Sequence, residues 1–258
     1  MTERVEGFYD ELADHYHLIF ADWQASIDRQ SRMLRALLAA EFSTHPLKIL
    51  DCACGIGTQS IALAGIGHEV VASDLSRAAV ERAQREALGR NLNISFHRSN
   101  LTSLAEIASA DFDVVVALDN ALPHLSASEV KLAVAAMSSK LRPGGLLVAS
   151  LRDYDRAIVE RPSFQAPAFH GVEPNRRIVH QVWDWVAADR YILHVFITVE
   201  SETGWTSHHF VSEYRCLLRE ELDSALRASG LSDIRWRMPA ESGFYQPMVL
   251  ARLPGDPR

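Results

Sequence analysis

Three cysteines in 258 residues are too few, and odd in number, for a closed disulfide framework. The chain therefore reads as a protein of a reducing compartment whose core is made by apolar packing alone. No stretch approaches the ~18 consecutive apolar residues that a membrane-spanning helix needs. The acidic, aromatic start "MTERVEGFYDELADHYHLIF" also lacks the basic lead and apolar centre of a signal peptide. A cytoplasmic protein with no membrane partner is the expectation. Positive charge is short as well: 26 Lys and Arg stand against 33 Asp and Glu, a formal charge of −7, which argues against a nucleic-acid surface. Repeats and low-complexity runs are missing. What remains is ordinary globular composition, 48% hydrophobic and 23% charged, in a chain long enough for one large domain or a domain with an insertion.

Residues 24–41 place Ile27, Met33, Leu34, Leu37 and Leu38 on one helical face. After them "KILD", "EVVASD", "NISFHR", "FDVVVALDN" and "LLVASLRD" read as short strands. They alternate with the helical patterns "TQSIALAG", "RAAVERAQREAL" (capped by Ser76) and residues 127–140. "RPGG" before the last of these strands reads as a turn. Strands alternating with helices predict an α/β, Rossmann-like doubly wound sheet. Further on, "RRIVHQVWDW", "DRYILHVFITVE" and "WTSHHFVSEYRCL" predict a three-stranded antiparallel insertion over the site. The stretch 161–177 before it reads as a mobile loop, with Arg176 and Arg177 solvated. A helix at 219–229 and the pair "DIRWRM"/"PMVLARL" would complete a mostly parallel, seven-stranded sheet with an antiparallel C-terminal strand. The expected layout is one domain: an N-terminal helical cap at 1–45, a cofactor-binding core at 46–155, the insertion at 156–214 and the closing segment at 215–258.

The stretch "LDCACGIGTQ" puts Gly55 and Gly57 between a strand and a helix, where glycine permits a tight turn and lets a ligand approach the backbone. Asp74 ends the next strand, where a carboxylate accepts hydrogen bonds from ribose hydroxyls. Ser60 stands where a dinucleotide fingerprint would carry its third glycine, and a P-loop lysine is missing too. An adenosyl ligand without phosphates, S-adenosylmethionine foremost, fits these features best. Cys52 and Cys54 share strand parity and read as small buried hydrophobes; no metal site is expected there or at His208 and His209, which point to opposite faces of a strand.

The segments "LDCACGIGTQSIAL", "ASDLS", "RSNLTSL", "LDNALPHL" and "LRPGGLLVASLRDYD" together resemble the class I S-adenosylmethionine-dependent methyltransferases. Within that class the resemblance is closest to the glycine and sarcosine N-methyltransferase group and covers roughly residues 47–155. It implies that Asp51, Ala53, Gly55 and Gly57 line the methionine and ribose of the cofactor. Asp74 would bind the ribose, with Leu75 beside it; Asn100 and Leu101 would border the adenine, and Leu118, Asp119 and His124 would face the methionine. Tyr16, Trp23 and Arg29, with Tyr9, would belong to the segment folded over the cofactor. Asn120 and Arg152 would meet an amino-acid acceptor, the arginine forking onto its carboxylate. Of the tyrosines that box the acceptor in that group, Tyr214 is the one visible here; His194 and Val195 stand where another is expected, so the chain departs from a glycine site.

The implied reaction is in-line methyl transfer to a small molecule, releasing S-adenosylhomocysteine, with an amine, amino acid or nitrogen heterocycle as the first expectation. Oxygen or carbon methylation of an aromatic natural product is the alternative, suggested by Trp183, Trp185 and Phe196. A non-catalytic nucleoside-binding protein on the same fold is another. Among many histidines the sequence singles out no general base, and it leaves homo-oligomerisation open.

Overall fold

The structure, a computed structural model, describes residues 2–255; the extreme ends of the expected cap and closing segment, Met1 and 256–258, lie outside the described residues. The N-terminal cap comprises α1 (Thr2–Leu12), a 3-10 turn (Tyr16–Ile19) and α2 (Trp23–Glu41). Asp22 caps α2 by accepting from the Ala25 amide at 2.9 Å, and the helix buries Ile27, Met33, Leu34 and Leu38.

The core follows as β1 (Lys48–Asp51), α3 (Thr58–Gly65), β2 (Glu69–Asp74), α4 (Arg77–Gly89) and β3 (Ile94–Arg98). It continues through β4 (Phe112–Ala117), α5 (Ala127–Ser139) and β5 (Leu141–Ser150). Ser76 caps α4 and also donates to Asp10 of α1, which joins cap to core. The short α6 (Tyr154–Glu160) leads into β6 (Phe164–His170), β7 (Arg177–Trp185), β8 (Arg190–Ser201) and β9 (Gly204–Arg215). α7 (Arg219–Ala228), β10 (Ser232–Arg237), α8 (Pro239–Ser242) and β11 (Met248–Arg252) close the chain.

The main sheet has seven strands in the order β10-β11-β5-β4-β1-β2-β3. The strands from β5 to β3 are mutually parallel, and β11 runs antiparallel to both β5 and β10. Along β4, Val114 and Val116 pack toward α2 and α3, while Val115 and Ala117 pack toward the other layer with Leu50 and Leu147. Burial on both faces explains why the strand reads as an unbroken apolar run.

Two expectations change. The segment read as a mobile loop forms β6, so the insertion is a four-stranded sheet, β6-β7-β8-β9, and not a three-stranded one. Its alternation was masked by Pro167 and a register shift between Gln165 and Ala168. "RPGG" is not a turn ahead of β5 but an irregularity within it: Phe112 pairs with Leu141 and Val114 with Leu146, so extra residues bulge between. A Cβ on Gly145 would stand 2.9 Å from the Arg142 carbonyl oxygen, which is why the bulge needs glycine.

Gly57 has φ +92° at the start of α3, and a Cβ there would meet the Ala83 Cβ of α4 at 3.1 Å. Gly57→Ala should therefore destabilise the protein by about 1–2 kcal/mol from backbone strain, with the crowded α3–α4 contact adding to it. Denaturant unfolding of the two proteins measures the difference.

Candidate active site

The strand order reverses between β1 and β4: the chain leaves β1 for β2 on one side and β4 for β5 on the other. Their carboxyl ends therefore splay apart into a crevice, the place where open α/β sheets bind ligands. The β1–α3 loop forms one lip. Gly55, at φ +51°, turns its amide onto the Asp74 carboxylate at 2.8 Å, and the Ser76 amide donates to the other carboxylate oxygen at 2.9 Å. Burial pushes the Asp74 pKa up, against the pull of those amides, and both oxygens keep lone pairs for a hydroxyl donor. Asn100 Oδ1 accepts from the Thr102 amide and hydroxyl, both at 2.9 Å, which fixes the loop after β3.

These pieces enclose a cavity floored by Ala53, Gly55, Leu75 and Leu118, with Asn100 and Leu101 at one end and Tyr9 and Tyr16 of the cap above. The fit to an adenosyl sulfonium is steric and chemical. A Cβ on Gly55 would protrude to 3.5 Å from Tyr16, narrowing the cradle; the walls are chiefly apolar, and the half-buried carboxylate of Asp74 offers acceptors at one point. Cys52 and Cys54 are buried with their thiols pushed well above the usual range by desolvation, and Cys52 donates to the Val116 carbonyl.

Opposite the glycine loop, Asp119 and Asn120 are successive non-glycine residues in the left-handed region, at φ +63° and +70°. Such strain persists only where surroundings over-determine it. Here the Asp119 amide donates to Ser150 Oγ at 2.7 Å, Asn120 Oδ1 accepts from the Arg152 amide at 3.0 Å, and Asn120 Nδ2 donates to Tyr154 Oη at 2.9 Å. Asp119 also accepts from the Tyr245 hydroxyl; burial raises its pKa. His124 sits beneath, with Nε2 2.8 Å from Tyr9 Oη and its ring 4.1 Å from Tyr214. Burial pushes its pKa down to about 3, so the ring is neutral and a poor base.

A second cavity of about 780 Å³ opens beside the first, under the insertion sheet, and shares Tyr9, Tyr16 and Asp119 with it. Arg152 projects into it. Its guanidinium lies 4.6 Å from the Trp183 ring and donates to Gln181 Oε1 at 3.2 Å. Among the described residues no carboxylate forms an ion pair with it. Burial works against the charge, and the phenols of Tyr191, Tyr154 and Tyr214 more than offset that, leaving the pKa raised. Trp183, Tyr191 and Tyr214 form a parallel stack, with centroids 4.5 and 5.7 Å apart and planes within 9°.

Of the residues singled out by sequence, Tyr16, Ala53, Gly55, Asp74, Leu75, Asn100, Leu101, Leu118, Asp119 and His124 line the first cavity. Arg29, Asn120, Arg152 and Tyr214 line the second. Four lie outside both. Asp51 is buried beneath the loop, where it accepts from Ser60 at 2.6 Å, and Gly57 serves the α3–α4 contact. Trp23 braces α3 by donating to Thr58 at 2.9 Å. His194 is on the far side of the insertion sheet, bonded to His209 and Asp184, because strand parity turns it away from Leu193 and Val195.

Sequence reasoning missed Gln181 on the cavity wall and, buried behind it, Tyr154 and Tyr191, which bond Asn120 and Arg152; the inward parity Tyr191–Leu193–Val195 was the available signal for Tyr191. It also missed Arg177, which is not solvated. Its guanidinium donates to the carbonyls of Leu18, Phe20 and Ala21 at 2.9, 2.6 and 2.9 Å, latching the cap to β7.

Residues 49–145 match a family profile described as a methyltransferase domain. Glycine N-methyltransferase of Mus musculus is 34% identical over 167 residues, covering 58% of this chain and 56% of that protein. Glycine/sarcosine N-methyltransferase of Parasynechococcus marenigrum (strain WH8102) is 27% identical, with 59% and 53% covered. The chain thus spans little more than half the length of these curated relatives. A solved structure of an amino pentose methyltransferase from Micromonospora echinaspora, with S-adenosylmethionine bound, superposes with a TM-score of 0.68 at 21% identity over 90% of this chain and 92% of that one. The match to a methyltransferase domain thus falls on residues 49–145, which hold the crevice, and the fold is the one that solved S-adenosylmethionine-dependent methyltransferases share.

Two outcomes check this geometry. His124 binds a proton far less readily folded than unfolded, so its contribution opposes folding increasingly as pH falls from about 6.5 toward 3. Asp51, with its pKa raised to about 7, works in the opposite sense, which makes the difference between proteins the clean observable. The stability of His124→Asn should fall less steeply than wild type over that window, by up to about 1.4 kcal/mol per pH unit, in denaturant titrations at stepped pH. Arg177→Ala should release the latch, so that amide hydrogen exchange at residues 16–21 quickens while β1 and β4 keep their protection.

Proposed function

We propose that the protein is an S-adenosylmethionine-dependent methyltransferase that methylates the nitrogen of a small, carboxylate-bearing acceptor larger than glycine. The observation that carries this reading is Arg152: a half-buried guanidinium with no ion-pair partner among the described residues, facing a cavity that meets the cofactor cavity at Tyr9, Tyr16 and Asp119. An acceptor carboxylate would supply the missing counter-charge in the forked geometry that arginine favours. The cavity, at about 780 Å³, has room for a ligand well beyond a two-carbon amino acid.

Asp74 would hold the ribose, Asn100 and Leu101 the adenine edge, and the backbone at Leu118 and Asp119 the amino-acid end of the cofactor. When bound, S-adenosylmethionine supplies a methyl group already activated by the sulfonium. The chain's own part is then placement. Arg152 and Asn120 orient the acceptor, the Trp183–Tyr191–Tyr214 stack excludes water from one side, and the cap closes the other. Such positioning is worth up to ~7–11 kcal/mol at its limit. An amine that arrives unprotonated needs no base, which agrees with a His124 too weakly basic to serve as one. The aromatic stack is the one feature that favours the second reading, O- or C-methylation of a flat ring.

Arg152→Ala separates the two readings. For a carboxylate-bearing acceptor KM should rise about 100-fold while calorimetric affinity for S-adenosylmethionine stays unchanged. An unaltered KM would favour a neutral ring, and no cofactor binding by the wild type at millimolar concentration would overturn both.

A further inference from the structure

Tyr9, Tyr16 and Asp119 line both cavities, so they surround the passage from one to the other. Among the described residues Asp119 is the one carboxylate common to the two. The other carboxylates on these walls are engaged. Asp74 accepts from the Gly55 and Ser76 amides, Glu129 closes the capping box of α5 with Ser126, and Asp153 lies 3.8 Å from Arg219. Asp119 accepts from the Tyr245 hydroxyl at Oδ1; among the described residues no donor bonds Oδ2, and no lysine or arginine pairs with the group. Tyr245 lines the second cavity and not the first, so this contact draws the carboxylate toward the second.

The backbone does not call for an acid at this position. At φ +63° it is held by its own amide, which donates to Ser150 Oγ at 2.7 Å, and glycine would make the same bond without the steric cost of a Cβ. A strained non-glycine residue at the meeting of two cavities therefore points to its side chain as the reason for the strain. Arg152 faces the same second cavity with the opposite charge. The two groups match an acceptor that carries a carboxylate at one end and an amine at the other.

On the reading that the first cavity holds S-adenosylmethionine, we propose that the Asp119 carboxylate is the catalytic counter-charge for the acceptor nitrogen. It selects a basic amine over an anionic oxygen or carbon. In methyl transfer to a neutral amine, the nitrogen lone pair forms the new N–C bond and the C–S electron pair stays on sulfur. The sulfonium's positive charge thereby moves to nitrogen, at the passage that Asp119 lines. A fixed carboxylate there stabilises the charge as it arrives and needs no reorganisation to do so. A phenolate or carbanion would bring negative charge to the same point and be repelled.

Calorimetry on the full chain with two cofactor analogues tests it. S-adenosylhomocysteine has a neutral sulfur, whereas sinefungin carries an amine-bearing carbon in place of the sulfonium and its methyl, which sets an ammonium where the transferred methyl would lie. The wild type should bind sinefungin at least ~10-fold more tightly than S-adenosylhomocysteine. Asp119→Asn should bring the two affinities within about 3-fold of each other. Asparagine tolerates the left-handed backbone, and if that variant fails to fold, Asp119→Gly carries the same expectation. With the acceptor used for Arg152→Ala, Asp119→Asn should also lower kcat about 100-fold. Equal wild-type affinities, a preference for sinefungin that survives Asp119→Asn, or an unaltered kcat overturns the proposal and leaves the cofactor reading standing. Binding of neither analogue by the wild type overturns the cofactor reading and the proposal with it.

Discussion

Two left-handed residues, Asp119 and Asn120, are the constraint on which the site depends. They turn the chain off β4 at the switch point so sharply that one side faces the first cavity and the other the second. Each left-handed non-glycine residue costs about 1–2 kcal/mol. The cost is met by Ser150, Arg152 and Tyr154, which lie at and just beyond the end of β5 and bond both residues. Gln246 ties the arrangement to β11 by accepting from Ser150 Oγ at 2.9 Å. The antiparallel end of the sheet therefore does more than complete the core; it holds the strained corner in place.

From that corner the roles of the other elements follow. The parallel core supplies a rigid crevice, and the cap and insertion, neither of which belongs to the core sheet, supply the roof. Apolar side chains of the cap and the insertion join the core clusters, and polar ties add to them: Asp10 to Ser76, Tyr9 to His124, and Arg177 to the carbonyls of Leu18, Phe20 and Ala21. The charge of Arg152 is kept in a confined place by the Trp183 and Tyr214 rings and the Gln181 amide oxygen.

Much of the fold was legible in the sequence because local patterns and packing agreed there. The apolar run of β4 announced burial on both faces, Ser76 announced α4, and the glycines between β1 and α3 announced the turn that Gly55 makes beside Asp74. β6 was not legible, because Pro167 and a register shift hide its alternation. Strand parity could have set His194 aside and raised Tyr191, since residues two apart on β8 share a face.

By itself the sequence determined the order of strands and helices in the core, the glycine turn with its acidic partner, and the position of Arg152 at the end of a central strand. These depend on residue type and short-range spacing. Only the tertiary structure decided that Asp51 faces Ser60 beneath the loop, that Arg177 latches the cap, and that Trp183, Tyr191 and Tyr214 stack around Arg152. The latch and the approach of the stack to Arg152 join elements far apart in the chain. Their geometry is set by how the insertion sheet lies over the crevice, which short-range spacing does not encode.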